Sequence, residues 1–231
     1  MTGKSDIRRR WLIGSASAAG LAIALPATAR DEAKKGTDDS VTPTEDLMRE
    51  HGVLQRLLLI YDAGSRRLEQ GEDMDPGVFV QSSETIRDFI HDYHEKLEED
   101  HVFPRFKKAG RMVELVDMLA TQHAAGRKLT DRILQMAPTA LKTSDQRKVM
   151  IGLMRATITL YLPHVAREDT DLFPTLRSLM TASEFEALGE TFEKAETAKF
   201  GSDGFEKTAK LCEQIEKKIG IHDLAQAMPK E

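Results

Sequence analysis

The sequence predicts an all-α protein with an antiparallel, up-down four-helix bundle over residues 43–180 and one or two extra helices in the C-terminal extension 181–231. Two observations lead to this prediction. Long stretches carry apolar residues at helical spacing between turn signals, and one chemical motif is written twice along the chain. Two similar helical hairpins that pack antiparallel form such a bundle.

The repeated motif is His-x-x-x-Glu followed by Phe-Pro. Its two copies lie seventy positions apart and consist of His94, Glu98, Phe103 and Pro104, and of His164, Glu168, Phe173 and Pro174. A single histidine precedes each copy, and these two, His51 and His123, are seventy-two positions apart. Each half therefore predicts one helix with a single His and one with His-x-x-x-Glu, which together bring four His and two Glu to a common centre.

The first two helices have clear start signals. Thr42-Pro43-Thr44-Glu45 has the pattern of a capping box with proline at the first helical position, and it predicts a helix over 43–69 with His51 on the apolar face. Asp75-Pro76 starts a second helix that is expected to reach about residue 102. Phe103-Pro104 should end or turn this helix, because proline lacks the N–H donor.

A third helix is expected over about 111–136. Its predicted inward face consists of Leu119, His123, Gly126 and Thr130. The fourth helix should begin at Ser144 and continue to about residue 172. Pro163 lies inside it and is expected to kink it beside His164.

Two shorter helices are expected to pack outside the bundle. Ser183 and Asp203 have the pattern of their N-caps, and Gly220 should end the second. His222 follows that end and is expected at the surface. The sole cysteine, Cys212, cannot form an internal disulfide and is expected to be a buried, inert thiol.

Residues 1–29 have the pattern of a signal peptide, with a basic segment, a run of small apolar residues and an Ala-x-Ala cleavage site that ends at Ala29. The paired arginines before Trp11 resemble a twin-arginine signal, which predicts a periplasmic or secreted protein. A general secretory signal and an uncleaved amphipathic anchor are the alternatives. Residues 30–42 are polar and without period, and we interpret them as a flexible linker.

The composition narrows the classes of partner. The net charge is −5, with 31% charged and 40% apolar residues, which is typical of a globular chain and argues against nucleic acid as the main partner. Beyond residue 30 we expect no stretch long and apolar enough to cross a membrane, and hence no stable membrane insertion after signal cleavage.

The four histidines and two glutamates predict a metal centre, because ionisable groups buried together are costly unless a cation compensates them. Imidazoles and carboxylates without a thiolate suit iron, manganese or zinc over Cu(I). Carboxylates that can bridge favour two metal ions over one. Such a pair of metals could bind or reduce a small oxidant such as dioxygen or peroxide.

Several polar neighbours accompany this set. Glu95 is either a further bridging carboxylate or a surface residue. Four others are expected around the ligands rather than on the metal: His91, His101, Tyr161 and Asp171. Of these, His91 and Tyr161 could orient ligands or donate a hydrogen bond to bound oxygen. Glu99 and Asp169, which directly follow the two glutamates, are expected in solvent.

Over residues 44–176 these motifs resemble the hemerythrin family and its His-His-Glu cation-binding relatives. The resemblance implies an antiparallel four-helix bundle that holds a non-haem, oxo- or hydroxo-bridged di-iron centre. The iron ligands that it implies are His51, His94, Glu98, His123, His164 and Glu168, with Glu98 and Glu168 as the bridges.

Two departures from the family pattern concern function. Oxygen-carrying hemerythrins have a second His one turn after the helix-three ligand, where this chain has Arg127, which argues against reversible oxygen carriage and leaves one iron with an open position. Their last motif is His-x-x-x-x-Asp, which Asp169 could satisfy, although Glu168 fits the internal repeat better. The chain is more similar to divergent members such as the iron- and oxygen-sensing domain of a ubiquitin-ligase subunit. There a Glu directly after the helix-two His is a ligand, and by this resemblance Glu95 is included among the predicted metal ligands.

The function predicted first is that of an exported di-iron protein that binds or senses dioxygen or a related oxidant, rather than a dedicated enzyme. The alternatives are a di-iron peroxidase or oxidase and an iron buffering or storage protein. Phosphotransfer through one exposed His is disfavoured by the four inward histidines. The sequence does not predict a protein partner.

Overall fold

The structure, a computed structural model of the 231-residue chain, describes residues 41–138 and 141–229. Within these ranges the chain forms helices and their connections, without strands, so the predicted all-α class is confirmed. The proposed signal peptide and nearly all of the proposed linker lie outside the described residues.

Four long helical runs precede two further helices. The first run is α1 (Pro43–Glu69) and the third is α5 (Val113–Met136). The second run joins five consecutive segments: α2 (Pro76–Thr85), π1 (Ile86–His94), α3 (Glu95–Leu97), π2 (Glu98–Val102) and α4 (Phe103–Ala109). The fourth run joins α6 (Ser144–Arg167), π3 (Glu168–Leu172) and α7 (Phe173–Leu176). The C-terminal helices are α8 (Ala182–Phe200) and α9 (Gly204–Ile219).

Most helix ends follow the local signals of the sequence. Thr42 caps α1 in a capping box, Asp75 caps α2, and Gly220 ends α9 with a φ of 71°. One predicted cap is wrong and another is right in position only. The cap of α8 is Thr181, not Ser183, because Glu184 returns its carboxylate to the Thr181 N–H. Asp203 occupies the N-cap position of α9, as predicted, but it has a left-handed backbone and its side chain makes no capping hydrogen bond.

The sequence led us to expect that the helices end or turn at the Phe-Pro pairs. In the structure the helices continue through these pairs, and each pair follows a wider π-helical turn. Phe103 N–H bonds to the carbonyl of Glu98, and Phe173 N–H bonds to the carbonyl of Glu168, both five residues back. A proline at the next position cannot donate, so the chain passes it by widening the turn before it. The second run therefore continues to Ala109 rather than 102, and the fourth to Leu176.

The four long runs pack around a common apolar core. Helix α1 contacts α6 and π1, and α5 contacts α6, α2 and π1. Helices α8 and α9 pack on α1, and α9 also reaches α2. Arg56 on α1 makes a two-pronged ion pair with Glu216 on α9, with both N···O distances 2.7 Å. The predicted inward faces of α1 and α5 are buried, as is Cys212, while His222 is exposed.

One expectation about membranes is wrong. The continuous helical stretch Ser144–Leu179 is long and apolar enough to cross a membrane by length and composition alone. Core helices of globular proteins share this property, and α6 contacts both α1 and α5. It also carries His164 into the interior, and 39% of its most apolar window is buried, so the core accounts for part of its apolar character.

Candidate metal centre

Four buried imidazoles from four helical runs meet in two pairs. His51 of α1 and His94 of π1 have ring centroids 4.7 Å apart, and His123 of α5 and His164 of α6 have centroids 4.9 Å apart. Each pair therefore combines the single-His helix with the His-x-x-x-Glu helix of the same half. All four side chains are at most 4% exposed.

The phenylalanines of the two Phe-Pro motifs support these pairs crosswise. Phe173 stacks on His51 with a centroid distance of 5.5 Å, and Phe103 stacks on His123 at 5.4 Å. Each Phe thus backs a histidine of the other half of the chain. The Phe-Pro motif therefore does two things: the proline widens the turn, and the aromatic ring fixes an imidazole.

The two glutamates lie between the pairs. Glu98 Oε2 is 3.7 Å from His94 Nε2 and 3.4 Å from His123 Nε2. Glu168 Oε2 is 3.3 Å from His51 Nε2 and 3.0 Å from His164 Nε2. Each carboxylate therefore reaches one imidazole of each pair, which is the placement that a bridging carboxylate requires.

All four oxygens of Glu98 and Glu168 lack a hydrogen-bond partner among the described residues, although both side chains are fully buried. Buried carboxylates without partners are expensive, and a cation between them would remove that cost. Burial, with Glu168 and other nearby carboxylates, raises the pKa of Glu98 well above its usual range. Burial also acts to raise the pKa of Glu168, but His164 and His51 outweigh it and lower that pKa. The donor set therefore fits divalent metal ions.

Three groups of side chains could each hold one ion, and the third of them, Glu95, Glu99 and His123, shares His123 with the second. The first metal position is formed by His51, His94 and Glu98, and the second by Glu98, His123, His164 and Glu168; the ligand atoms in each group lie within 4.8 Å of one another. Glu98 belongs to both of these groups. Six of the seven residues proposed from the sequence as ligands thus come together in these two groups, and the seventh, Glu95, belongs to the group with Glu99 and His123.

Every imidazole of the centre uses its other nitrogen for a hydrogen bond. The Nδ1 atom of His51 donates to Asp169 (2.7 Å), and that of His94 donates to Glu50 (2.7 Å). The Nδ1 atom of His123 donates to Glu99 (3.1 Å), and that of His164 donates to Gln122 (3.0 Å). A proton on Nδ1 leaves the lone pair on Nε2, the nitrogen that faces the centre. The four acceptors therefore fix the tautomer and the direction of all four imidazoles.

The four acceptors repeat along the chain as the ligands do. Glu50 and Gln122 each precede a ligand histidine, and Glu99 and Asp169 each follow a ligand glutamate. The expectation that Glu99 and Asp169 lie in solvent is wrong. Glu99 accepts a hydrogen bond from His123 and Asp169 accepts one from His51, and in both cases the histidine belongs to the other half of the chain. Sequence reasoning missed Glu50 and Gln122, although their place next to the repeated histidines was a signal.

Glu95 is buried beside the second metal position and is held by three partners. Its Oε1 accepts hydrogen bonds from Tyr161 Oη (2.8 Å) and His91 Nδ1 (2.9 Å), and Arg127 Nη2 lies 2.9 Å from its Oε2. Burial would raise the pKa of Glu95, but the hydrogen bond from His91 and the nearby charge of Arg127 help to lower it. Arg127 also donates to Glu99 at 2.7 Å. Glu95 is therefore not a surface residue, and His91 and Tyr161 are tied to it.

Two residues expected around the centre lie away from it. The ring of His101 faces Phe192 of α8 at a centroid distance of 6.3 Å, and Asp171 pairs with Arg167 at 2.6 Å on the outer side of the helix. The expectation assumed regular α-helical geometry. The π turns that begin at Glu98 and Glu168 change the direction of the side chains that follow.

Comparison with known proteins identifies the family to which the chain belongs. The model of the hemerythrin HHE cation binding domain matches residues 42–176. Proteins of Mycobacterium tuberculosis and Mycobacterium bovis, both described as uncharacterized, are 46% identical to this chain over 96% of its length and 91% of theirs. No solved structure matches the chain significantly.

Proposed function

Because the chain belongs to the hemerythrin HHE cation-binding family, we propose that it is a non-haem di-iron protein that binds or senses dioxygen or a related small oxidant. The observation that carries this proposal is the pair of buried, partnerless carboxylates between two pairs of imidazoles. The family and the cluster of buried ligands indicate metal binding. What we propose in addition is that the ions are iron and that there are two of them.

We also propose the finer architecture of the family, an antiparallel up-down four-helix bundle formed by the four long runs. The contacts of α1 with α6 and π1, and of α5 with α6 and α2, support it. Each long run then contributes one histidine, and the second and fourth runs contribute the glutamates. Helices α8 and α9 lie on the outside of α1 in this arrangement.

In this proposal His51 and His94 would hold one iron, His123 and His164 would hold the other, and Glu98 and Glu168, which lie between the two pairs, would serve both. Manganese or zinc would fit the same nitrogen and oxygen donors. Bound iron would supply the redox chemistry that an oxidant requires. The chain's own residues keep each Nε2 directed inward, keep bulk water out through burial, and hold a proton on Tyr161 Oη, which donates to Glu95.

A specific observation favours one second candidate, a peroxide-consuming enzyme. Tyr161, Glu95, His91 and Arg127 form a connected polar network beside the second metal position. The repeat counterpart of Glu95 is the buried Val165, so the repeat does not supply a second carboxylate at this place in the motif. A connected polar network suits proton delivery, and sustained turnover of peroxide with a reductant would distinguish this enzyme from a binding protein.

The experiment that tests the proposal is elemental mass spectrometry on purified full-length protein, with absorption spectra recorded under argon and under air. We expect two irons per chain and a spectrum that changes on exposure to air. Zinc, or a single metal per chain, would contradict the di-iron proposal. Iron that is released reversibly without any oxidant-dependent change would favour iron buffering.

We further propose export through the twin-arginine-like segment in residues 1–29. Its paired arginines and the Ala-x-Ala sequence that ends at Ala29 support this, and both lie outside the described residues. Cell fractionation, with mass measurement of the N-terminus, tests it. A cytoplasmic protein that retains residues 1–29 would contradict export, while replacing Arg8 and Arg9 with Lys should abolish it.

A further inference from the structure

The hydrogen bonds around the centre divide its two halves unequally. In the pair His51 and His94, both Nδ1 atoms donate to carboxylates, those of Asp169 and Glu50. In the pair His123 and His164, one Nδ1 donates to the Glu99 carboxylate and the other to the neutral amide oxygen of Gln122. The pseudo-symmetric repeat is thus broken at one position of the acceptor set.

Charge compensation increases this difference. Arg127 forms an ion pair with Glu99 at 2.7 Å and also contacts Glu95 at 2.9 Å. Within the part of the chain that the structure describes, neither Glu50 nor Asp169 makes an ion pair with a lysine or an arginine. The first pair of histidines therefore faces two carboxylates without a lysine or arginine partner, whereas the one carboxylate that the second pair faces shares Arg127 with Glu95.

A carboxylate is a stronger acceptor than an amide, and an imidazole that donates to it is a more basic metal ligand. Two such imidazoles at the first metal position give the ion more electron density and more compensating negative charge. Beside the second metal position, Arg127 offsets only one of the two carboxylates Glu95 and Glu99, so one net negative charge remains there, compared with two beside the first from Glu50 and Asp169.

We propose that the two metal positions differ in affinity: the first (His51, His94) fills first and the second (His123, His164) binds more weakly, while Glu98 and Glu168 each lie within 3.7 Å of an imidazole of both positions and serve both. Glu50 and Gln122 are the positioning residues that set this order. The inference rests on the proposed two-metal function. The more weakly bound metal ion would then lie on the side of the centre where Tyr161, Glu95 and Arg127 form the polar network.

The test is a titration of metal-free, full-length protein with Co²⁺ against a competing chelator, which resolves the two binding steps. Glu50→Gln keeps the shape of the side chain and should weaken the tighter step by about 10- to 100-fold while leaving the weaker step unchanged. Gln122→Glu should strengthen the weaker step by a similar factor and bring the two steps together.

Two more variants form a matched pair should either of these fail to fold by circular dichroism. Asp169→Asn alters an acceptor of the first metal position and should weaken the tighter step, whereas Glu99→Gln alters one of the second and should affect the weaker step. Glu190→Gln, on the exposed face of α8, is the control and should change neither.

The possible outcomes separate the inference from the function that it rests on. Two Co²⁺ ions bound with equal affinity, or a weaker step that responds to Glu50→Gln, would overturn the inference and leave the two-metal function intact. A single Co²⁺ ion per chain would overturn both. A tighter step that responds to Glu50→Gln and Asp169→Asn alone would establish the order of filling.

Discussion

The hydroxyl of Tyr161 lies directly against the backbone of Gly126, so that a β-carbon at position 126 would be only 1.9 Å from Tyr161 Oη. Helix α5 can thus approach α6 at this level only because residue 126 has no side chain. The contact places the Tyr161 hydroxyl within reach of Glu95, 2.8 Å away. A glycine inside a helix is therefore a structural requirement of the polar network beside the metal centre.

The first prediction concerns this close approach. Gly126→Ala should destabilise the protein by about 1–3 kcal/mol, because the added methyl group must displace the Tyr161 ring or separate two helices. Urea unfolding followed by circular dichroism measures the change. Gly152→Ala on α6 is the matched control: its β-carbon would meet no atom within 4 Å, so better helix propensity should leave stability equal or raise it by about 0.5–1 kcal/mol. Equal effects of the two substitutions would contradict the packing argument.

A second prediction concerns the ligands. His94→Ala or Glu168→Ala should lose at least one metal ion per chain and lower the melting temperature, because metal binding compensates the remaining buried ligands. A chelator should lower the melting temperature of the unmodified protein for the same reason. His101→Ala and His222→Ala should retain the full metal content, since both residues lie away from the centre. Elemental analysis beside thermal melts measures both quantities, and metal loss in His101→Ala would contradict the site described above.

The pH dependence of stability supplies a third prediction. Burial and the nearby Glu50 carboxylate raise the pKa of Asp46 from 3.8 to about 7. The folded protein therefore holds a proton that the unfolded chain has released, so this group's contribution to stability is lost as pH rises from about 4 to 7. Asp46→Asn removes the ionisable group and should stabilise the protein at pH 8 by about 1 kcal/mol, with little effect near pH 4.

Unfolding by urea at the two pH values measures this difference. Asp62→Asn, on an exposed part of the same helix, is the control, and its effect should be small at both values. If Asp46→Asn stabilised the protein equally at both pH values, the ionisation of Asp46 would not be the cause.

The fourth prediction concerns the attachment of α9 to α1. The Arg56 and Glu216 side chains are joined by two hydrogen bonds of 2.7 Å, and Glu216 is only 10% exposed. Glu216→Gln should cost about 1 kcal/mol, which is more than a solvent-exposed ion pair contributes. A double-mutant cycle with Arg56→Met isolates the pair from other contacts. The exposed pair Lys194 and Glu190 on α8 should give a coupling energy near zero in the same experiment.

Much of the centre could be predicted from the sequence because its signals are local or repeated. Six proposed ligands lie together, since a helical face brings residues four apart to one side and the repeat at seventy positions marks the same residues twice. Start signals such as Thr42 with Glu45 worked for the same reason, because both partners of the cap lie within one turn.

Predictions failed where a partner is distant in the chain or the helix departs from regular geometry. His101 and Asp171 were placed by α-helical spacing, but the π turns before the two Phe-Pro pairs direct them elsewhere. Glu99 and Asp169 look like surface carboxylates in their own helices. Their acceptor role depends on a histidine of another helix, 24 residues away for Glu99 and 118 for Asp169.

The sequence by itself determined the helical class, the repeated ligand set and the family, because these depend on residue type and on spacing within a helix. Only the tertiary structure decided which imidazoles form a pair, which oxygen receives each Nδ1–H, and that Gly126 makes room for Tyr161. These relationships are distances between side chains of different helices. They are set by how the helices pack, which no spacing along one helix specifies.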